Sequence, residues 1–391
     1  MLPLLAAGLL AAAPAPEAPD QKRLEAEISK EMGASPSPAA PSTPSAAAPA
    51  DAPESGAPAK GESPYSRLVF IPNIAAIGDF ALAYTTLDPA QLEPVAPPVP
   101  WQAHRVTPLF QEVELALQLA VDPYARADVF LAFGPDGVEV EEAYLTTLSL
   151  PWGLQLKAGK YLSPFGRINQ QHRHQWEFVD APLSFQRLLG LEGLNGAGAD
   201  VSWLAPLPWF LELHLDYQAT QPLGAAGQEL TGIARLLQVF PLSDAVTLAL
   251  GLSWGGVEET AGGWRLLGGV DAYLRIRPPA GRAYLALQGE LFTRRFNGTS
   301  QDGTAVGGYA QAVWRMSPYW LAGVRYDNAP SGFAWPTGHE NHVALLGGFM
   351  PSEFWRVRMQ LGAGFYPGGA AGYDAQLTLE FSIGSHGAHP F

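Results

Sequence analysis

The sequence predicts an all-β chain, a transmembrane antiparallel β-barrel of about 16 strands with a disordered N-terminal extension. Three observations favour this fold. From Ile74 onward, stretches of about ten alternating apolar and polar residues recur, as expected of half-buried strands. The connections between these stretches are alternately short and variable in length. Only 15% of the residues are charged, against roughly 25% in an average soluble domain.

Four segments divide the chain. Residues 1–18 contain the apolar run Leu2–Ala13, which is too short to cross a bilayer as a helix and is followed by small residues, so we expect a signal peptide. Residues 19–32 have apolar side chains at a helical spacing and predict a short helix. Residues 33–65 form a Pro/Ala-rich linker that cannot bury a core, and residues 66–391 form the barrel.

The alternation is clear in the predicted strand that contains Leu115 and Leu117 on one face and Glu112 and Glu114 on the other. Seven short turns, each with a proline, separate such strands and alternate with eight connections of variable length. Sixteen strands joined in this way leave both ends of the barrel on the side of the short turns, which is typical of bacterial outer-membrane barrels.

A soluble β-sandwich would also alternate, but three features favour the membrane barrel. Many strands reach the roughly nine to eleven residues that cross a bilayer at a tilt. The polar faces carry full charges, which a packed sandwich core would not tolerate unpaired. Tryptophans lie near strand ends, as expected at the two lipid interfaces. They are Trp152, Trp203, Trp209, Trp264, Trp320 and Trp355.

Composition excludes several partners and cofactors. The chain has no cysteine, which rules out disulfides and thiolate metal sites. Its net charge of −14 argues against nucleic acid, because phosphate binding needs a basic surface. No apolar run reaches the roughly eighteen residues of a membrane-spanning helix. We find no phosphate-binding glycine loop and expect no cofactor.

About sixteen strands enclose a water-filled lumen, so the charged face of each strand should point inward. The first strands are mainly acidic, and those between Arg265 and Arg358 are rich in arginine. These arginines either create a field across the lumen or simply pair with neighbouring carboxylates, and the sequence leaves both open. The expected lumen residues are Glu112, Glu114, Arg126, Asp128, Lys157, Glu212, Asp216, Arg265, Asp271, Arg275, Arg282, Glu290, Arg294, Arg325, Arg356 and Arg358.

Histidines are the main candidates for site chemistry. His214 is placed on a strand near Glu212 and Asp216, but no serine nucleophile with a recognisable setting accompanies it, so we predict no enzyme. The remaining histidines are placed in loops or the tail, where pairs of imidazoles could bind zinc, although no carboxylate motif fixes their geometry. These residues are His104, His172, His174, His339, His342, His386 and His389.

The long, irregular stretch 162–194 interrupts the strand pattern and mixes charges with aromatic side chains. Its place in the strand count makes it the third of the longer connections. We expect it to narrow the lumen. Together with the strand that precedes it, it supplies the predicted constriction residues Lys160, Arg167, His172, Arg173, His174, Glu177, Asp180 and Arg187.

The residues Gly159 to Gly166, GKYLSPFG, resemble the Gly-Lys/Gln-aromatic-x-x-Pro-Phe-Gly segment of the phosphate-selective (O and P type) porins. The chain is also similar to that family in size, strand pattern, long third loop and a short helical segment before the barrel. The resemblance implies a homotrimer whose third external loop folds into the pore and whose basic residues conduct anions. By position, Lys160 and Arg167 then flank the constriction.

We therefore predict a passive channel in the lipid of the bacterial outer membrane that admits small hydrophilic solutes or ions. A second hypothesis is an outer-membrane binding protein or receptor for a metal such as zinc, which would use the loop histidines.

Overall fold

In a computed structural model, the chain forms a closed antiparallel β-barrel. The structure describes residues 73–87, 106–135, 137–220, 229–258, 263–278, 282–297, 303–331 and 338–384. The predicted signal peptide, short helix and Pro/Ala-rich linker lie outside the described residues, and so do His104, His386 and His389.

The described residues form the predicted number of strands, sixteen. In chain order they are β1 Asn73–Thr85, β2 Thr107–Asp122, β3 Ala125–Gly134, β4 Gly137–Thr147, β5 Leu154–Leu162, β6 Asn195–Leu204, β7 Phe210–Thr220, β8 Glu229–Ser243, β9 Val246–Glu258, β10 Trp264–Ile276, β11 Tyr284–Asn297, β12 Gly303–Arg315, β13 Trp320–Pro330, β14 His339–Ser352, β15 Trp355–Phe365 and β16 Ala371–Gly384.

Each strand pairs with its neighbours in chain order, and β1 closes the ring by pairing with β16 from Ala75↔Gly384 to Thr85↔Asp374. Closure gives every strand two hydrogen-bonded neighbours, which satisfies the backbone without an exposed sheet edge. The connections alternate in length less regularly than expected, since residues 135–136 alone join β3 to β4 whereas residues 277–283 lie between β10 and β11. The connection between β5 and β6 is the longest. The predicted fold class and strand order are confirmed.

The barrel turns its polar residues inward and its apolar residues outward. On β14, Glu340, His342 and Ala344 are buried, whereas Val343 and Leu345 are exposed. This arrangement reverses the usual order of a soluble domain and follows from two solvents, water within the ring and lipid outside it.

An apolar belt covers the outside of the ring. Val324, Leu345 and Leu361 lie side by side on β13, β14 and β15 and expose 45%, 56% and 50% of their surface. The six predicted interface tryptophans are all exposed near strand ends. A continuous belt of this kind suits a lipid surface, because a monomeric soluble protein rarely exposes so much contiguous apolar area.

Helical structure is sparse in the described residues. The single α-helix, α1, spans Leu183–Leu189, and 3-10 turns occur at Pro151–Gly153, Ile168–Gln170, Arg173–Gln175 and Pro367–Gly369. No helix in the described part of the chain is long and apolar enough to cross a membrane.

The belt can be tested at Leu345, which lies near the middle of β14. Leu345→Arg places a charge in the lipid and should reduce the free energy of folding into phosphocholine vesicles by about 2–4 kcal/mol. Urea titration of tryptophan fluorescence measures this change. Glu353→Arg, in the exposed turn before β15, adds a positive charge outside the belt and should change stability little. Equal losses in the two variants would contradict the assignment of the belt.

Candidate functional site

The candidate site is built around the connection Ser163–Leu194, here called the 163–194 segment. It includes α1 and two of the 3-10 turns. Its residues contact inward-facing side chains of strands spread around the ring, among them β2, β4, β7, β11, β13 and β15.

Two glycines of the GKYLSPFG stretch direct the chain into this segment. Gly159 and Gly166 have φ values of 139° and 64°, a region that side-chain-bearing residues rarely adopt. A Cβ atom at Gly166 would also collide with the Glu290 carboxylate. Glycine at position 166 therefore allows the backbone of the segment to approach the Glu290 side chain of β11.

The start of the segment is fixed by two carboxylates. The hydroxyls of Tyr161 and Ser163 donate to Asp216 at 2.7 and 2.6 Å. The backbone N–H groups of Arg167 and Ile168 each donate to Glu290 at 2.8 Å. Hydrogen bonds to an ionised acceptor are short and strong, so β7 and β11 hold this part of the segment from different sides.

Asn169 joins the two ends of the segment. Its side-chain amide donates to the carbonyls of Ser163 and Leu194 at 2.8 and 3.1 Å, and its oxygen accepts from the Leu194 N–H at 2.8 Å. Asn169 is buried, and all these bonds lie within the segment.

His172 and His174 face an acidic group on β2 and β4. Nε2 of His172 lies 2.6 Å from Glu142, and Nδ1 lies 3.3 Å from both Glu114 and Glu141. His174 Nδ1 lies 3.2 Å from Glu114. Burial by itself lowers the pKa of His172, but the hydrogen bonds to Glu141 and Glu142 outweigh it, and the pKa is raised well above its ordinary value.

A β-bulge in β4 brings both acidic neighbours inward. Phe130 of β3 pairs with Glu142 and Leu131 pairs with Val140, so Glu141 is an extra residue on β4. Consecutive residues of a regular strand point to opposite faces. Without the bulge, either Glu141 or Glu142 would therefore point out of the barrel.

Further along the segment, Arg358 holds the backbone. Its guanidinium donates to the carbonyls of Trp176 and Phe178 at 2.8 and 3.0 Å and approaches Glu380 at 3.3 Å. Arg358 is fully buried, so these acceptors replace the water that the charge has lost.

Asp180 is bound from β13 and β15. Arg325 donates to its carboxylate at 2.6 Å and Gln360 donates at 3.0 Å. Burial raises the pKa of this carboxyl, but the charges of Arg325 and His342 and the hydrogen bonds from Arg325 and Gln360 together outweigh burial, and the pKa is lowered. The segment thus presents basic side chains to the acidic strands β2 and β4 and an acidic side chain to the arginine-bearing strands β13 and β15.

Apolar packing adds to these polar contacts. Phe165, Ile168, Phe185 and Leu188 pack with inward-facing apolar side chains of β8 to β12, including Phe292. A second group joins Phe178 and Val179 of the segment to residues of β12, β13 and β14. Burial of these side chains contributes roughly 1.5–3 kcal/mol each before entropy is subtracted.

A cavity of about 420 Å³ lies between the segment and strands β10 to β15. Arg167 lies over the ring of Tyr273 at 4.0 Å, and Arg275 lies over Tyr284 at 4.7 Å. The charged residues that line the cavity are Arg167, Glu177, Asp180, Arg275, Arg315, Arg325 and Arg356.

The eight predicted constriction residues occupy different positions. Arg167, Glu177 and Asp180 line the large cavity. His172, Arg173 and His174 face β2 and β4, where Arg173 donates to Gln111 at 2.9 Å. Lys160 binds Glu139 and the Val140 carbonyl. Arg187 is buried against Glu340 and is not among the cavity-lining residues.

The predicted lumen residues divide by exposure. Glu112, Lys157, Glu212, Arg275 and Arg356 are half-buried, whereas Arg126 is exposed and binds Asp128. Arg282 lies in the turn before β11 and is exposed, so its assignment to a strand was wrong. The buried members are Glu114, Asp128, Asp216, Arg265, Asp271, Glu290, Arg294, Arg325 and Arg358.

The histidine assignments need three corrections. His339 and His342 lie on β14 and not in a loop, because this strand begins earlier than its alternation indicates. His214 binds Asp200 and Glu212, whereas Asp216 is held by Tyr161 and Ser163. The expectation that no carboxylate motif fixes the geometry of the loop histidines was also wrong for His172, since Glu114, Glu141 and Glu142 surround it.

No protein-family model matches the chain. An uncharacterized protein of Aquifex aeolicus is 31% identical to this chain over an alignment 387 residues long. The match covers 84% of this chain and 82% of that protein. Among solved structures, the anion-selective porin of Comamonas acidovorans matches with a TM-score of 0.55 and 12% identity, covering 80% of this chain and 99% of the porin. The outer-membrane channel DcaP of Acinetobacter baumannii matches with a TM-score of 0.58 and 11% identity, covering 80% and 97%.

These structural matches show a shared fold. Together with the lipid-facing apolar belt and the closed sixteen-stranded ring, they identify a β-barrel of the bacterial outer membrane.

Arg358 provides a test of how the segment is held. Arg358→Met leaves Glu380 and the segment carbonyls without this donor and should destabilise the docked segment by about 3–5 kcal/mol. Hydrogen exchange of the amides of residues 174–181, followed by mass spectrometry, should accelerate while strand amides stay protected. Arg277→Met, in an exposed turn, is the matched control. Unchanged exchange in Arg358→Met would show that other contacts hold the segment.

Proposed function

We propose that this chain, which belongs to one family with the uncharacterized Aquifex aeolicus protein, is a passive outer-membrane porin narrowed by the 163–194 segment. The observation that carries the proposal is the set of contacts made by this segment. Asp216, Glu290 and Arg358 bind it from β7, β11 and β15. A segment held from separate parts of a ring crosses the space that the ring encloses.

The open space beside the segment favours small hydrophilic anions. Arg167, Arg275 and Arg315 line the cavity, together with polar side chains such as Gln288 and Gln311. Asp180, one of its acidic residues, is already bound by Arg325. A water-filled passage with an excess of positive charge lowers the barrier for anions and raises it for cations. The similar barrel from Comamonas acidovorans is named as an anion-selective porin, which agrees with this direction.

The pairing of the lumen arginines with carboxylates argues against phosphate as a specific solute. Recognition of phosphate by arginine uses several guanidinium donors free to form paired hydrogen bonds. Here Arg235 binds Asp271, Arg325 binds Asp180 and Asp327, and Arg356 binds Glu380. These pairs favour the view that many of the lumen arginines balance neighbouring carboxylates.

A channel is favoured over a metal receptor or an enzyme. The similar barrels are porins and channels by name, and His172 and His174 are buried against the wall, where they do not offer a capture surface. In agreement with the resemblance of GKYLSPFG to the phosphate-selective porins, we propose a homotrimer.

Planar-bilayer recording tests the channel directly. The purified protein should insert with stepwise, ohmic increases in conductance, because a water-filled lumen conducts without a bound cofactor. Protein that is folded by circular dichroism and yet gives no conductance steps would refute the porin proposal.

Arg167 tests the anion preference. Arg167→Glu replaces a positive charge in the cavity with a negative one and should lower the anion-to-cation permeability ratio by roughly twofold or more. The reversal potential in a salt gradient measures this ratio. Arg277→Glu makes the same change in an exposed turn and should leave the ratio near that of the unmodified protein. Equal ratios in all three proteins would exclude a selectivity role for Arg167.

A further inference from the structure

We infer that Glu114, Glu141 and His172 form a binding site for a divalent transition-metal ion, with Zn²⁺ as the best match, that ties the 163–194 segment to the barrel wall. Their ligand atoms all lie within 4.8 Å of one another. Glu114 comes from β2, Glu141 from β4 and His172 from the segment. The inference concerns these described side chains and does not depend on what the barrel conducts.

The two distances from His172 to the carboxylates fit a tetrahedral ion. His172 Nδ1 lies 3.3 Å from Glu114 Oε2 and 3.3 Å from Glu141 Oε2. Zinc bonds to nitrogen and oxygen of about 2.0–2.2 Å, at tetrahedral angles, separate neighbouring ligands by roughly 3.3–3.5 Å. Both distances are longer than the usual N–H···O⁻ hydrogen bond of about 2.7–2.9 Å, so one proton on Nδ1 serves two carboxylates poorly.

Glu142 orients the imidazole for this role. It lies 2.6 Å from Nε2 of His172, on the side of the ring away from Glu114 and Glu141. A ligating histidine commonly donates its second ring N–H to a carboxylate, which fixes the tautomer and strengthens the ligand. Here that hydrogen bond leaves Nδ1 directed at the other two carboxylates. Zinc takes the place of the proton that Nδ1 otherwise carries.

Charge and space also favour a cation. Glu112, Glu114, Glu141 and Glu142 supply four carboxylates, of which Glu114 and Glu142 are buried, and a buried carboxylate is stabilised by a neighbouring cation. Arg173, 3.8 Å from Glu112, adds to the positive charge of the two imidazoles. A cavity of about 80 Å³ lined by Glu112, Glu141 and His172 borders the group. This space is enough for water, which would complete the coordination of the ion.

The mixture of nitrogen and oxygen ligands selects among metals. Calcium and magnesium take oxygen ligands, whereas zinc combines imidazole with carboxylate. His174 also lies beside the site, with its Nδ1 3.2 Å from Glu114 Oε2. Its ring is nearly parallel to that of His172, with the centroids 5.8 Å apart.

His214 shows what a plain histidine–carboxylate contact looks like in this protein. Each of its nitrogens faces a separate carboxylate, Asp200 at 2.9 Å and Glu212 at 3.3 Å. No two carboxylates converge on one of its nitrogens among these contacts. His214 is therefore a matched control for His172.

The test uses the full chain in detergent, freed of metal with a chelator and titrated with ZnCl₂ by isothermal calorimetry. We expect one zinc ion per chain. Glu141→Gln and His172→Asn should each weaken binding by about 100-fold, and Glu142→Gln by about 10- to 100-fold. His214→Asn should bind zinc as the unmodified protein does. X-ray absorption of the zinc-loaded protein should show a nitrogen and oxygen ligand shell.

Absence of zinc binding by the unmodified chain, or equal binding by Glu141→Gln and His172→Asn, would overturn the site. Glu141 is only half-buried, so Glu141→Gln is the variant least liable to misfold. Heat-modifiable gel mobility checks that the barrel of each variant is closed. Calorimetry and bilayer conductance are separate measurements. A chain that binds zinc but does not conduct would retain this site and refute the porin proposal. A chain that conducts but does not bind zinc would retain the porin proposal and refute this site.

Discussion

The structure depends on one constraint, that the backbone of a chain in lipid has to satisfy its own hydrogen bonds. Strands can do so only in a closed ring, and the pairing of β1 with β16 provides that closure. Once the ring is closed, alternation along each strand separates two environments. Apolar side chains such as Leu345 meet lipid, and charged side chains such as Arg358 have to lie inside.

Charges gathered inside a ring then need counter-charges. The wall supplies some of them, as in the pair Arg235 and Asp271. The 163–194 segment supplies others, because its histidines face the carboxylates of β2 and β4 and its Asp180 faces Arg325. The charges of the segment therefore complement the charges of the strands that they face. This match explains how a segment with so little regular structure can have a defined position.

Much of the fold could be predicted from the sequence, because the two-residue period and the turn residues are local signals. They give the strand number and the inward direction of residues such as Asp216 and Arg325. The contacts of the candidate site were harder to predict from the sequence. Glu141 and Glu142 both point inward because of a β-bulge, which strict alternation does not predict. The partner of Arg187 is Glu340, more than a hundred residues away, and only the closed ring brings the two together. The start of β14 was missed, and with it the strand positions of His339 and His342.

Asn169 has a consequence for how such a protein can change over evolution. By joining Ser163 to Leu194, it closes the segment on itself where the segment leaves β5 and enters β6. Substitutions between the joined ends can alter the interior without altering strand pairing, and substitutions on the lipid side leave the interior unchanged. A change of solute preference would then require substitutions in the segment and in the inward-facing side chains that contact it, with the strand pairing left as it is.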